Sequence, residues 1–231
     1  MVKVAVLHTS FVFVNVEMSV QNLLDELLPD AELIHLVDSD VLATVMREGS
    51  ISPSSEARMV LMAEAAEKAG ADVIFSACSS LGPTLDAARL AVGVPIVKID
   101  DAMAAHAAAT ASSIGVLATV ATTLGPTADL IEQAAVEQGR DVRVVRHLCE
   151  GAFQVLMGGD RAAHDAMVVE GARQLAEQVD LVVLAQASMS RLREQLEQTV
   201  GKPVLSSPRM GIELLADTVR QQDRDRHPPT Q

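Results

Sequence analysis

The stretch Asp72-Val-Ile-Phe-Ser-Ala-Cys78-Ser-Ser80 returns as Asp180-Leu-Val-Val-Leu-Ala-Gln186-Ala-Ser188, and adding 108 to each number of the first copy gives the second. The register holds without a gap through Val92-Gly93 on Val200-Gly201 and Pro95 on Pro203. Each copy is a short apolar run bounded by polar and turn-forming residues, which is the pattern of a buried strand in a parallel sheet. The chain therefore contains two similar halves. The thiol that closes the strand in the first half, Cys78, is replaced in the second by the carboxamide of Gln186.

Working outward, short apolar runs alternate with longer helical stretches, the rhythm of βαβ units. Strands are predicted at Val2–Leu7, Glu32–Val37, Val73–Ala77 and Pro95–Val97, and again at Ile114–Leu117, Val142–Val145, Leu181–Ala185 and Pro203–Leu205. Ser52-Pro53 places a cap residue before a proline at the first helical position, and Gly70 closes that helix. Pro126 is expected to open another helix that Gly139 ends, and Asp160 to cap the stretch from Arg161 to Gln178. Gln221–Gln231 is polar, ends in prolines and reads as a frayed tail.

The expected architecture is α/β: two pseudo-symmetric, Rossmann-like domains, each a four-stranded parallel sheet flanked by helices. Asp100–Ala111 would cross to the second half and Arg209–Arg220 would cross back. The domains would then be residues 1–99 plus 208–231, carrying Cys78, and 100–207, carrying Gln186. Ligands of open α/β sheets gather at the carboxyl ends of strands, so the active-site cleft is expected between the two halves.

Composition narrows the function classes. The 231 residues are 49% hydrophobic and only 2% aromatic, so the core is Ala, Val, Leu, Ile and Met, and the methionines read as core. A formal charge of −13, spread without blocks, argues against nucleic acid as a partner. Cys78 and Cys149 are the only cysteines, which rules out a disulfide framework, and no Cys/His cluster suggests a metal. The amino-terminal Val-Lys-Val-Ala-Val-Leu run is too short for a signal h-region, and no apolar run approaches the roughly 20 residues of a membrane helix, so a cytoplasmic protein without membrane contact is expected.

Cys78 is followed by Ser79-Ser80-Leu81-Gly82-Pro83-Thr84 and a helix through about Val92. Backbone N–H groups at a helix start stabilise a thiolate, and with the Ser79 and Ser80 hydroxyls they suit a substrate carboxylate. His8, Thr9 and Ser10 end the first strand, and Thr119 and Thr122 follow the first strand of the second half. Hydroxyls and N–H groups there again fit carboxylate oxygens, and His8 is a candidate proton relay. Asn15 follows the apolar Phe11-Val-Phe-Val14, which suits either a loop over the cleft or a homodimer contact. Ala187 and Ser188 flank Gln186 as candidate substrate contacts. Cys149 does not align with the repeat and reads as packing, Glu150 and Asp160 as surface or capping carboxylates. Gly158-Gly159-Asp160 lacks the Lys and Ser/Thr of a phosphate loop.

Phe75-Ser-Ala-Cys-Ser-Ser80, Ile114-Gly-Val-Leu-Ala-Thr119-x-x-Thr122 and Val183-Leu-Ala-Gln-Ala-Ser-Met189 together resemble the aspartate/glutamate racemase superfamily, over essentially residues 1–220. That superfamily also includes hydantoin racemases, maleate cis–trans isomerase and arylmalonate decarboxylase. The resemblance implies a cofactor-independent enzyme acting on an amino acid, hydantoin or diacid through Cys78, with carboxylate contacts from the Thr119–Thr122 segment. Two thiols flank the α-carbon in the family's racemases, whereas Gln186 stands at the second thiol position here. A carboxamide does not accept and return a proton at neutral pH but does donate hydrogen bonds. A one-cysteine cis–trans isomerase or decarboxylase of a dicarboxylate, and a non-catalytic protein that binds small carboxylates, are the alternative readings.

Overall fold

The computed structural model describes residues 1–11 and 18–226. Asn15 and the segment Val12–Val14 lie outside the described residues, while Phe11 is half exposed. The chain divides into two compact units, Met1–Ile99 together with the residues from Pro208 on, and Asp100–Ser207.

The first unit runs β1 (Lys3–His8), α1 (Ser19–Leu27), β2 (Glu32–Val37), α2 (Val41–Glu48), α3 (Pro53–Lys68), β3 (Val73–Ser76), α4 (Thr84–Ala91) and β4 (Ile96–Lys98). The second runs α5 (Asp101–Thr110), β5 (Ser113–Ala118), α6 (Ala121–Glu137), β6 (Arg143–Leu148), α7 (Ala152–Met157), α8 (Arg161–Ala176), β7 (Leu181–Leu184), α9 (Arg193–Val200) and β8 (Val204–Ser206). Helix α10 (Ser207–Arg226) then returns to the first unit. Each unit holds one four-stranded, fully parallel sheet, in the order β2-β1-β3-β4 and β6-β5-β7-β8. The chain reverses its direction of travel through the sheet between β1 and β3 and between β5 and β7, and those strand ends are the ligand-binding position of such sheets.

The repeat extends to individual hydrogen bonds. The Lys3 N–H donates to Asp72 Oδ2 at 2.8 Å, and the Ser113 N–H donates to Asp180 Oδ2 at 3.2 Å. The acid before each central strand thus ties it to the foot of its neighbour. The helix caps repeat as well: Ser52 Oγ accepts from the Ser55 N–H at 3.3 Å, and Asp160 Oδ1 from the Ala163 N–H at 2.9 Å. Both satisfy donors that the first helical turn would otherwise leave orphaned. Pro53 occupies the first helical turn, and Gly70 takes the left-handed φ of +82° that follows the helix end.

The cores follow from the apolar strands. Val73–Ser76 and Leu181–Leu184 are buried at every position, consistent with helices on both faces. In the first unit Ala5, Leu7, Ile74 and Ile96 pack against Val41, Met59, Ala63 and Leu85 of the helices on one side. In the second, Leu117, Val182 and Leu184 pack with Val168, Ala172 and Leu175. A Cβ on Gly115 would collide with Leu175, and one on Gly211 would run into the Ile99 backbone; both glycines let a helix approach a neighbouring segment closely.

Three expectations need correction. Pro126 lies inside α6, which begins at Ala121; proline in an early turn loses one backbone hydrogen bond, and the preceding Gly125 has open space beside it. Gln221–Arg226 continues α10 rather than fraying, because the Arg226 guanidinium reaches back to the Asp72 carboxylate. Met59, Met103 and Met189 are core residues, but Met18, Met46 and Met157 are exposed.

Candidate active site

Cys78 stands two residues past the end of β3 and is the half-buried thiol of the chain. Ser79 and Ser80 beside it are buried. The sequence implied a helix start close to the thiol. Instead, a tight turn intervenes: the Gly82 N–H donates to the Ser79 carbonyl at 3.0 Å, the Thr84 N–H to Leu81 O at 3.1 Å and the Thr84 hydroxyl to the same oxygen at 2.6 Å. Helix α4 opens only at Thr84, six residues after Cys78. The turn is anchored by Leu81 and Leu85, both fully buried, so Cys78 sits on a pinned loop.

At the end of β1, beside β3, His8 and Thr9 are buried and Ser10 is half-buried. His8 Nε2 lies 2.9 Å from His35 Nδ1, and the two rings stack at 5.2 Å between centroids. The Nδ1 of His8 is buried without a hydrogen-bond partner among the described residues. Burial, and secondly the neighbouring His35, push the His8 pKa down to about 4, so the ring is neutral at physiological pH. His35, placed by the β1–β2 register two residues below His8, was not singled out in the sequence; a lone histidine on a strand carries no motif.

Lys98 was also missed. It ends β4 with 6% of its surface exposed, in register with Ser76, and its Nζ is 3.9 Å from Asp86 Oδ1 in α4. Its stem lies under the turn at Gly82. A charged residue closing the apolar run Pro95-Ile-Val-Lys98 was the available signal.

The second unit carries the corresponding positions. Thr119 follows β5 and is buried, Thr122 lies in the first turn of α6, and Gln186 follows β7, half-buried, with Ala187 and Ser188 opening a 3₁₀ turn. Thr119 and Gln186 are brought together: the backbone N–H of Thr119 donates to Gln186 Oε1 at 2.6 Å, and its hydroxyl to the same oxygen at 3.1 Å. The 3₁₀ turn is held by Arg191, whose guanidinium pairs with Asp165 on α8; Asp165 also lies 2.7 Å from His164 Nδ1. Cys149 packs in the core, and burial raises its pKa to about 11. Among the described residues no group of three or more His, Cys, Asp or Glu side chains could hold a metal ion.

A fold of two such parallel units is shared with known enzymes. A glutamate racemase from Bacillus anthracis superposes with a TM-score of 0.73 at 18% identity, covering 96% of this chain and 82% of that one. An allantoin racemase from Klebsiella pneumoniae gives 0.65 at 18% identity, over 96% and 89% of the two chains. Arylmalonate decarboxylase gives 0.57 at 16% identity, over 96% and 93%. No curated protein sequence matches the chain significantly. The family model for Asp/Glu/hydantoin racemases matches residues 14–215, and the chain belongs to that family of racemase and isomerase-type enzymes.

Proposed function

We infer that the protein is a cofactor-independent isomerase-type enzyme that acts on a small carboxylate (an amino acid, a hydantoin or a diacid) through Cys78. The observation that carries this reading is the contrast between its thiols. Cys78 is accessible on a pinned loop at a strand end of the ligand-binding side of the first sheet, whereas Cys149 is buried with its pKa raised. Thiolates, not thiols, act as bases and nucleophiles. In the proton-transfer form of the reaction the Cys78 thiolate takes a proton from the carbon next to a carbonyl. The C–H bond breaks, an S–H bond forms and the electron pair moves onto the carbonyl oxygen. The reverse step returns a proton to that carbon. Ser79, Ser80 and Thr122 are the proposed carboxylate contacts, with Thr9 and Ser10 at the neighbouring strand end.

Gln186 favours a second reading. With no second thiol at the repeat position, a one-cysteine cis–trans isomerase or decarboxylase of a dicarboxylate fits better than two-base racemisation. Incubation in D₂O with L- and D-aspartate, L- and D-glutamate, a methyl-substituted hydantoin, methylmalonate and maleate separates these. Deuterium uptake, inversion, CO₂ release and cis–trans conversion are followed for the wild type and Cys78→Ala. Turnover of at least one compound that disappears in Cys78→Ala is expected. Tight binding without turnover of any of them would leave a carboxylate-binding protein instead.

A further inference from the structure

Thr119 holds the carboxamide of Gln186 in one orientation. A backbone N–H can only donate, so the Gln186 atom 2.6 Å from the Thr119 nitrogen is the oxygen, and the hydroxyl at 3.1 Å donates to that oxygen as well. Both donors of Thr119 are therefore spent on Gln186, and the expectation that Thr119 itself grips a carboxylate meets a competitor from its own chain. The amide passes the donor capacity on. Its Nε2 carries two N–H groups with no acceptor among the described residues, on a half-buried side chain at the carboxyl end of β7. The β5–β7 switch point on which it stands is where parallel sheets bind ligands.

We propose that Gln186 is a specificity-determining donor. Its Nε2, oriented by Thr119, takes an oxygen acceptor of the substrate, a carbonyl or carboxylate oxygen, and no proton crosses at this position. The ligand class follows from polarity: a pair of N–H donors accepts oxygens bearing lone pairs and rejects ammonium groups. If Cys78 alone removes and returns the proton, solvent exchange at carbon proceeds from one face and configuration is kept. This second half rests on the reading of Cys78 as the reacting group; the donor role does not.

The test uses the intact chain and two variants. Gln186→Glu keeps an oxygen for both Thr119 donors and replaces the amide nitrogen by a carboxylate oxygen. Calorimetric titration of maleate, methylmalonate and L-glutamate into the wild type and Gln186→Glu near pH 8 should show at least tenfold weaker binding of the best wild-type ligand. The deficit should shrink as pH falls through the ordinary Glu range towards about 4, because a protonated Glu regains a donor. Thr119→Val, which keeps the backbone N–H, should weaken the same ligand several-fold without introducing that pH dependence. Equal affinity of wild type and Gln186→Glu, a deficit insensitive to pH, or no binding of any of the three to wild type would each overturn the donor role. Where the wild type exchanges deuterium into a chiral compound, exchange should outrun inversion at least tenfold. Inversion as fast as exchange would overturn the one-face claim. Turnover surviving Cys78→Ala would instead overturn the reading of Cys78 while leaving the binding result standing.

Discussion

Nε2 of His8 lies 2.9 Å from Nδ1 of His35, so buried His8 at the end of β1 and exposed His35 within β2 share one hydrogen bond, in which one ring nitrogen donates and the other accepts. Burial first, and His35 second, lower the His8 pKa from 6.5 to about 4. A group with a lowered folded pKa contributes its full stability above the unfolded value and loses it as pH falls towards the folded value. The protein should therefore lose about 2 kcal/mol of unfolding free energy between pH 7 and pH 5 through this group. Urea unfolding at the two pH values checks it, with His8→Leu as reference. The loss should be smaller by about that amount in the variant; equal losses would contradict the assignment.

The two thiols should differ sharply in reactivity. Iodoacetamide near pH 8 should modify Cys78 and leave Cys149, because a thiol with a pKa of about 11 is thiolate in only about one molecule in a thousand at that pH. Peptide mass mapping of the folded protein reads this directly. Comparable labelling of Cys149 would place it outside the core.

Helix α10 is seated on the first unit at both ends of its length. Gly211→Ala would press a Cβ into the Ile99 backbone and should destabilise the protein by about 2–3 kcal/mol. Arg226→Ala removes the partner of Asp72, a carboxylate with only 10% of its side chain exposed, and should cost about 1 kcal/mol, since Arg226 itself is nearly half exposed. Burial raises the Asp72 pKa, but the Arg226 hydrogen bonds and charge together with the Lys3 contacts bring it below the usual value. This contribution is therefore present above the ordinary carboxylate pKa and lost as pH falls through the lowered folded value, so the wild type and Arg226→Ala should converge in stability in acid below the ordinary carboxylate range. Thermal denaturation across pH measures both effects.

Much of the fold is legible in the sequence because the halves repeat. Asp72 and Asp180 fix the central strands, Ser52 and Asp160 fix equivalent helix starts, and apolar runs too short for helices leave a parallel sheet as the consistent solution. Cys78, Thr119 and Gln186 could be placed at strand ends for the same reason. Their contacts could not. The Thr119–Gln186 bond depends on strand pairing across 67 residues, and the repeat offset is 110 at β5 against β1 (113 − 3) but 108 at β7 against β3 (181 − 73), which local pattern does not reveal. His35 and Lys98 were missed because each matters only through what strand pairing and packing bring against it. The end of α10 was misread because polar composition suggests fraying, while the Arg226–Asp72 pair, 154 residues apart in the chain, outweighs it.

The central claim is that Cys78 does the chemistry. The most direct measurement is deuterium incorporation or product formation from the best carboxylate found in the D₂O panel, for wild type, Cys78→Ala and Cys149→Ala at matched folded fraction. The account predicts a loss of at least a thousandfold in Cys78→Ala and a rate within about threefold of wild type in Cys149→Ala, whose thiol is buried and protonated. Turnover in Cys78→Ala within tenfold of the wild type would contradict it.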